Sequence, residues 1–411
     1  MTTARPATPS TARAINDRLA LDLLLSQGPL TASELRTLTG LSRPTVADLL
    51  ERLQHGGLVA VAGESGEQRR GPNARLYALV GDRAHLAGID VRATGVSLVI
   101  ADLTGRTLAT AEVPAVPDPA VPGASGGPDL VDRTVRTLLE TAREAGAGSL
   151  HTVAVGAPGM VDPVTGALAN AGGLPRWHNE LLGALRARPG MDVLLENEVN
   201  LAGIAEHRIG AARDRDTFVL LWLGESVGAA VMLDGRLRRG VSGGTGEVCF
   251  LPVPGTVGLP SATACEGGFH SLVGSVAICE LARRHGLAVP GENQLPSPGP
   301  APRAEAVVRA AVESEDPAGK AFLAELAERI AVGAAAVCVV LDPGCVVLGG
   351  EIGRAGGPVL ARLVERRLSG FSPLRTEVRV GAAGGGAVLA GAVLTAGDAA
   401  RRDIFGELLR S

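Results

Sequence analysis

Along the first eighty positions the apolar residues recur first at helical spacing and then at strand spacing. In "RAINDRLALDLLLSQ" (13–27), Ile15, Leu19, Leu23 and Leu24 fall on one side of a 3.6-residue spiral and predict a helix. "LTASELRTLTG" sets Thr31 three residues ahead of Glu34. That is the relation of a capping box, in which each side chain satisfies the other's backbone N–H at a helix start. Leu35 and Leu38 form the expected stripe and Gly40 the stop. "LSRPTVADLLERLQHGG" opens with Ser42 as N-cap and Pro44 in the first turn, where a missing N–H loses no hydrogen bond. Val46, Leu49, Leu50 and Leu53 then follow at i, i+3, i+4, i+7. Beyond Gly56–Gly57, "LVAVAGESGEQRRGPNARLYALV" reads as strand, polar tip, strand.

Two capped helices joined by a tight glycine turn and followed by a basic hairpin make a winged helix-turn-helix pattern. In such a unit the first residues of the second helix reach base edges, here Ser42, Arg43, Pro44 and Thr45. Arg69, Arg70 and Arg75 in the hairpin suit phosphate or minor-groove contact, so double-stranded operator DNA is the expected partner.

After Asp82 the pattern changes. "HLAGIDVRATGVSLVIADLTGRTLATAEV" predicts three strands with tight turns at 93–95 and 104–106. "TFVLLWLGESVGAAVMLDGRLRRGV" repeats it with turns at 224–226 and 234–236, and helical stretches follow both copies. An internal repeat of this kind implies two related lobes facing a cleft.

Composition narrows the picture. Aromatics are only 2% of the chain, so its core must be built from Ala, Val and Leu. A net charge of −4 is close to neutral, so any nucleic-acid contact must be local. The five cysteines form no CxxC pair, and neither a signal segment nor an apolar run of about eighteen residues is visible. The expectation is a cytoplasmic protein with reduced thiols and no membrane partner. The expected boundaries are a disordered tail at 1–12, the module at 13–82, and a two-lobed domain at 83–411. Its lobes are about 83–195 plus the C-terminal helix, and about 196–390.

Five glycine-bearing segments carry a resemblance: "GIDVRATGVSLVIADLTG", "VAVGAPGMVDPVTGAL", "LPRWHN", "ENEVNLAGIAE" and "DPGCVVLGGEIG". In this order, behind a winged helix, they resemble the ROK family of sugar kinases and sugar-responsive repressors. The resemblance implies an α/β fold, a duplicated actin-like ATPase (ribonuclease H-like) domain with a sugar site between its lobes. It implies phosphate loops at Asp90, Arg92 and Thr94 and at Gly156 and Gly159. Ligand contacts would come from Asn197, Glu198, Glu247 and His270, with Gly172–Gly173 and Trp177–His178 nearby and Phe250 offering an apolar or stacking face.

The departures from the family pattern bear on function. Arg92 stands where a phosphate-cradling turn needs glycine, because backbone amides must approach the anion unobstructed by a Cβ. Its guanidinium would fill the phosphate space, yet it suits an anion and keeps phosphorylated sugars among the candidate effectors. Glu198 replaces the family's catalytic Asp, and one added methylene displaces a general base from its hydroxyl. "GEVCF" keeps the family's sugar-binding Glu as Glu247 but has Cys249–Phe250 for its Gly-His. "CEGGFH" retains one cysteine of the zinc motif, Cys265, and His270 replaces a closing Glu. Without a short chelating spacing, neither zinc nor another metal is expected, and ATP is not expected as a cofactor. These features predict a dimeric DNA-binding regulator, a repressor, that senses a sugar or sugar derivative without catalysis. The alternative is an active ATP-dependent sugar kinase carrying a DNA-binding module.

Overall fold

The computed structural model describes residues 9–64, 74–92, 94–115, 128–168, 177–262, 264–291 and 300–408. Its N-terminal part comprises α1 (Pro9–Gln27), β1 (Leu30–Thr31), α2 (Ala32–Thr39), α3 (Arg43–His55), β2 (Val59–Glu64) and β3 (Arg75–Leu79). The three strands form one sheet in the order β1-β3-β2, all pairs antiparallel. The capping box is present: Thr31 N–H donates to Glu34 Oε2 at 2.7 Å, and Glu34 N–H donates to Thr31 Oγ1 at 3.2 Å. Ser42 caps α3, accepting from Thr45 N–H at 3.3 Å.

Three expectations for this part need correction. Helix α1 begins at Pro9, a residue helices accept in their first turn, so residues 9–12 are helix and not tail. Its buried face is also rotated. Asp17, Ala20, Leu21 and Leu24 are buried, whereas Ile15 is 60% and Leu19 40% exposed. "LALDLLL" is apolar on more than one face, and the fold buries Asp17 because Arg52 of α3 reaches it at 2.7 Å. On α2, Leu35 is buried but Leu38 is exposed, since one turn of a two-turn helix suffices to meet the core.

The first lobe contains β4 (His85–Arg92), β5 (Gly95–Asp102), β6 (Thr107–Pro114), α4 (Pro128–Glu144), β7 (Thr152–Ala157), α5 (Trp177–Arg186), β8 (Asp192–Asn197) and α6 (Glu198–Arg208). The second contains β9 (Phe218–Leu223), β10 (Val227–Leu233), β11 (Arg236–Arg238), α7 (His270–Val273), α8 (Ser275–Arg284), α9 (Pro300–Glu313), α10 (Pro317–Leu341), β12 (Cys345–Gly349), α11 (Gly350–Phe371) and β13 (Glu377–Val380). The chain closes with α12 (Ala387–Leu408).

The sheet orders are β6-β5-β4-β7-β8 and β11-β10-β9-β12-β13, the same order twice. In each, a three-stranded antiparallel meander is extended by two parallel strands. The inner parallel strands β7 and β12 are buried on both faces and read as continuous apolar runs, "TVAVGA" and "CVVLG". Two helices exchange places between the lobes. Helix α6 leaves the first sheet and packs on β9 and β10, while α12 leaves the second and packs on β4 and β7. The two helices also pack on each other, so the lobes meet through them.

Candidate functional site

The duplication places two hairpin turns, β4–β5 and β9–β10, at the cleft between the lobes. Arg92 and Thr94 come from the first turn, Glu225 and Ser226 from the second, and Glu198 opens α6 between them. Two cavities share Pro158, Glu198, Glu225 and Ser226. The larger, ≈ 480 Å³, is walled by Arg92, Trp222, Glu305, Glu351, Arg354 and Val388. The smaller, ≈ 210 Å³, is walled by Asn197, Thr245, Glu247, Cys249, Cys265 and His270. Glu198, Asn197, Glu247 and His270 are thus gathered around one cavity, with Gly159 at its edge.

Arg92 does not point freely into the larger cavity. Its Nε donates to Asp90 Oδ2 at 2.7 Å, and Nη1 lies 3.9 Å from Glu351 of the opposite lobe. Asp90 is 1% exposed, and its Oδ1 has no hydrogen-bond partner among the described residues. Burial pushes the Asp90 carboxyl up, and the Arg92 guanidinium opposes that shift. Thr94 is exposed at the turn and lines the same cavity.

Glu198 accepts from Ser226 Oγ at 3.4 Å. Burial first, then the Asp90 carboxylate, push its pKa up to about 8, with Arg92 pulling the other way. A carboxylic acid held neutral near pH 7 can donate a hydrogen bond and is a poor general base below that pKa. The sign for stability follows. Between the ordinary value of 4.5 and about 8, the folded chain holds a proton that the unfolded chain releases, so stability falls as pH rises through this window. Glu198→Gln should flatten that slope by up to about 1.4 kcal/mol per pH unit in thermal or urea unfolding between pH 5 and 8. An unchanged slope would show that Glu198 is ionised throughout.

Asn197 caps α6. Its Oδ1 accepts from Val199 and Asn200 N–H at 2.9 and 3.1 Å, and its Nδ2 donates to Gly159 O at 3.0 Å. Its amide therefore fixes the cavity wall, tying the glycine loop to the helix that carries Glu198. Gly156 lies beneath the cleft, where a Cβ would come within 2.8 Å of both Leu201 and Val388; packing of α6 and α12 on β7 accounts for this glycine. Phe250 packs against the second lobe's core and is not a cavity wall, and Trp177 and His178 are buried under the first lobe. Burial drives the His178 imidazole down to about 4, keeping it neutral. Gly172–Gly173 lie outside the described residues.

Burial, then the neighbouring Glu247, push the Cys249 thiol up to about 12, and its S–H points at Glu247 Oε2 at 3.6 Å. No group of three His, Cys, Asp or Glu suited to a metal ion occurs among the described residues. Burial pushes Glu247 up and His270 down, so both favour their neutral forms.

On the N-terminal module Arg43 and Pro44 are exposed at the start of α3, and Arg75 is exposed at the start of β3. The hydroxyls of Ser42 and Thr45 are 2.8 Å apart and engage each other as part of the cap. Arg69 and Arg70 lie outside the described residues. An open groove of ≈ 490 Å³ beside α3 is lined by Arg36, Arg43, Gln54 and Tyr77. Arg36 in this groove, and Ser226, Glu351 and Arg354 in the cleft, carry no motif that marks them in the sequence as site residues. The repeat carried the signal for Ser226, since its turn duplicates the one at 93–95.

Two copies of one mixed sheet, exchanging helices around a cleft, define an α/β protein of the actin-like sugar-kinase type. The chain belongs to the ROK family, whose sequence profile matches residues 86–398. It is similar to the xylose repressor of Caldicellulosiruptor bescii, 22% identical over 85% of this chain and 86% of the repressor. It is also similar to the glucokinase of Thermotoga maritima, 31% identical over 39% of this chain; the match spans only 48% of that kinase. A ROK family transcriptional regulator, a homologue of the Escherichia coli MLC protein, shares the fold with a TM-score of 0.72. That alignment is 18% identical and covers 97% of this chain and 99% of the regulator. No helix among the described residues is long and apolar enough to cross a membrane.

Proposed function

We propose that the chain is a DNA-binding transcriptional regulator, a repressor, whose two-lobed domain senses a sugar or sugar derivative and does not transfer phosphate. The observation that carries the proposal is the Arg92–Asp90 pair, at the turn that the family resemblance makes a phosphate loop, with Glu198 on the same cavity wall. A guanidinium held between Asp90 and Glu351 at this turn supports a reading in which the turn does not receive ATP phosphates. The smaller cavity offers hydroxyl-pairing groups from Glu198, Glu247, Thr245 and His270, as a polyol requires. The likeness to a xylose repressor over most of both chains adds support.

The N-terminal helices and three-stranded sheet act as a winged helix-turn-helix, with Arg43 reading base edges and Arg75 holding phosphate. A dimer sets two modules on a two-fold operator about one helical turn apart. A ligand that touches both walls of the cleft favours one interlobe arrangement, and only such differential affinity moves the modules.

The test pairs two assays on the purified chain, in which ATP is offered with D-glucose and D-xylose while DNA from upstream of its own gene is assayed by gel retardation. Retardation relieved by a sugar, with no phosphate transfer, is expected. Turnover abolished by Glu198→Ala would overturn the sensor reading. In the same retardation assay Arg43→Ala should weaken binding by roughly 5- to 150-fold and relax base preference. Arg75→Ala should weaken all sequences alike and lower the salt slope by about 1.

A further inference from the structure

We infer that α12 is the element that couples the cleft to the N-terminal module, with Arg401 and Phe405 as its positioning residues. The inference deepens the regulator reading and takes its purpose from it. The geometry stands without it.

One end of α12 is at the cleft. Val388, in its first turn, is a wall of the larger cavity and packs over Gly156. From there the helix runs along α6, whose first residue is Glu198. At Gly391 a Cβ would overlap the carbonyl oxygen of Leu201, so the two backbones touch with nothing between them. Near the far end of α6 the Arg208 guanidinium bonds Asp398 of α12 at 3.1 Å. Backbone contact near the start of both helices and an ion pair at the end of α6 hold α6 and α12 together, and that pairing begins at the cavity.

The other end reaches the module by two independent links. Arg401 is 4% exposed; its Nη1 donates to the Leu103 carbonyl at 2.9 Å and its Nη2 to Asp398 at 2.8 Å. Leu103 N–H in turn donates to the carbonyl of Gly81, just beyond the hairpin strand β3, at 2.9 Å. The second link is Phe405, fully buried, whose ring centre lies 5.3 Å from the guanidinium carbon of Arg18 on α1. Ile404 and Phe405 share one continuous apolar cluster with Ala20, Leu21 and Leu24 of α1 and with Leu53 and Leu58. From Val388 to Phe405 the helix spans about 26 Å at 1.5 Å per residue. A rigid rod with one end in the ligand cavity and the other against the reader's first helix is a physical route for coupling; coupling itself must be measured.

Hydrogen exchange on the full-length chain tests this without ligand or DNA. Val388→Ala loosens the cleft end of α12. It should raise amide exchange in α1 by about 5-fold or more, the lower bound of usual coupling strengths. Arg18→Gln, at a half-buried position that leaves the fold intact, and Phe405→Leu should each raise α1 exchange directly. In either background, Val388→Ala should add nothing. If Val388→Ala raises exchange in the first turns of α12 but leaves α1 unchanged, or acts equally in all backgrounds, the coupling role is wrong. Failure of the regulator reading would appear elsewhere, as absent gel retardation or absent sugar response, with the α1 exchange pattern intact.

Discussion

Glu206→Ala is expected to destabilise the two-lobed body by about 3–5 kcal/mol, because three backbone amides lose their common acceptor at once. Glu206 is buried near the end of α6. Its Oε2 accepts from Ala211 N–H at 2.7 Å and Ala382 N–H at 3.0 Å, and its Oε1 accepts from Ala383 N–H at 2.9 Å. The first bond closes the turn after α6. The other two hold the loop that leads from β13 into α12. Alanine takes the shared acceptor from these three part-buried N–H groups, and glutamine supplies only one carbonyl oxygen while turning an amide donor toward another. Glu206→Gln should therefore be nearly as damaging as alanine. In a thermal scan both variants should melt roughly 5–10 °C lower than the parent. A glutamine variant with parental stability would mean that one acceptor suffices and that the charge adds nothing.

Glu206 also marks a limit of reading by sequence. An acid in "IAEHRIG" looks like an ordinary surface residue of an amphipathic helix, and only the return of the chain at 382–383 buries it. What was legible depended on local physics. Thr31 with Glu34 and Ser42 ahead of Pro44 are caps written within four residues, and both form. The repeated meander was legible because hairpin turns and strand alternation are local, and β4–β5 and β9–β10 pair as antiparallel hairpins. The stripe of α1 was not, since "LALDLLL" has too many apolar faces and the distant Arg52 decides which one is buried. The resemblance implies a phosphate-loop place for Gly156 and a ligand contact for Asn197. The structure gives each an architectural task as well, one under α6 and α12 and the other capping α6, and Asn197 also lines the smaller cavity. That added task was not legible because it comes from packing partners distant in sequence.

Arg92→Ala should lower stability at pH 7 by about 2–3 kcal/mol, below the usual cost of breaking a buried pair because the arginine itself is partly exposed. Asp90 is the reason. It sits near the end of β4 with one oxygen lacking a partner among the described residues, and Arg92 is the cation that offsets its burial. Without that cation the carboxyl shifts further upward, so the variant's deficit should grow as pH rises through the raised range in which Asp90 ionises and shrink in acid, where Asp90 is protonated in both proteins. Asp90→Asn should rescue much of the loss: the Asp90→Asn/Arg92→Ala double variant should be more stable at pH 7 than Arg92→Ala alone. The coupling energy from the four-protein cycle should be about 1–3 kcal/mol. A guanidinium kept for an anionic ligand would behave otherwise. Inorganic phosphate would then raise the parent's melting temperature but not that of Arg92→Ala, while in buffer alone the variant would be as stable as the parent. An additive cycle together with phosphate stabilisation would assign Arg92 to a ligand. A strongly coupled cycle with no phosphate effect would make it the internal counter-ion of Asp90, a cation built into the turn where a kinase admits its phosphate.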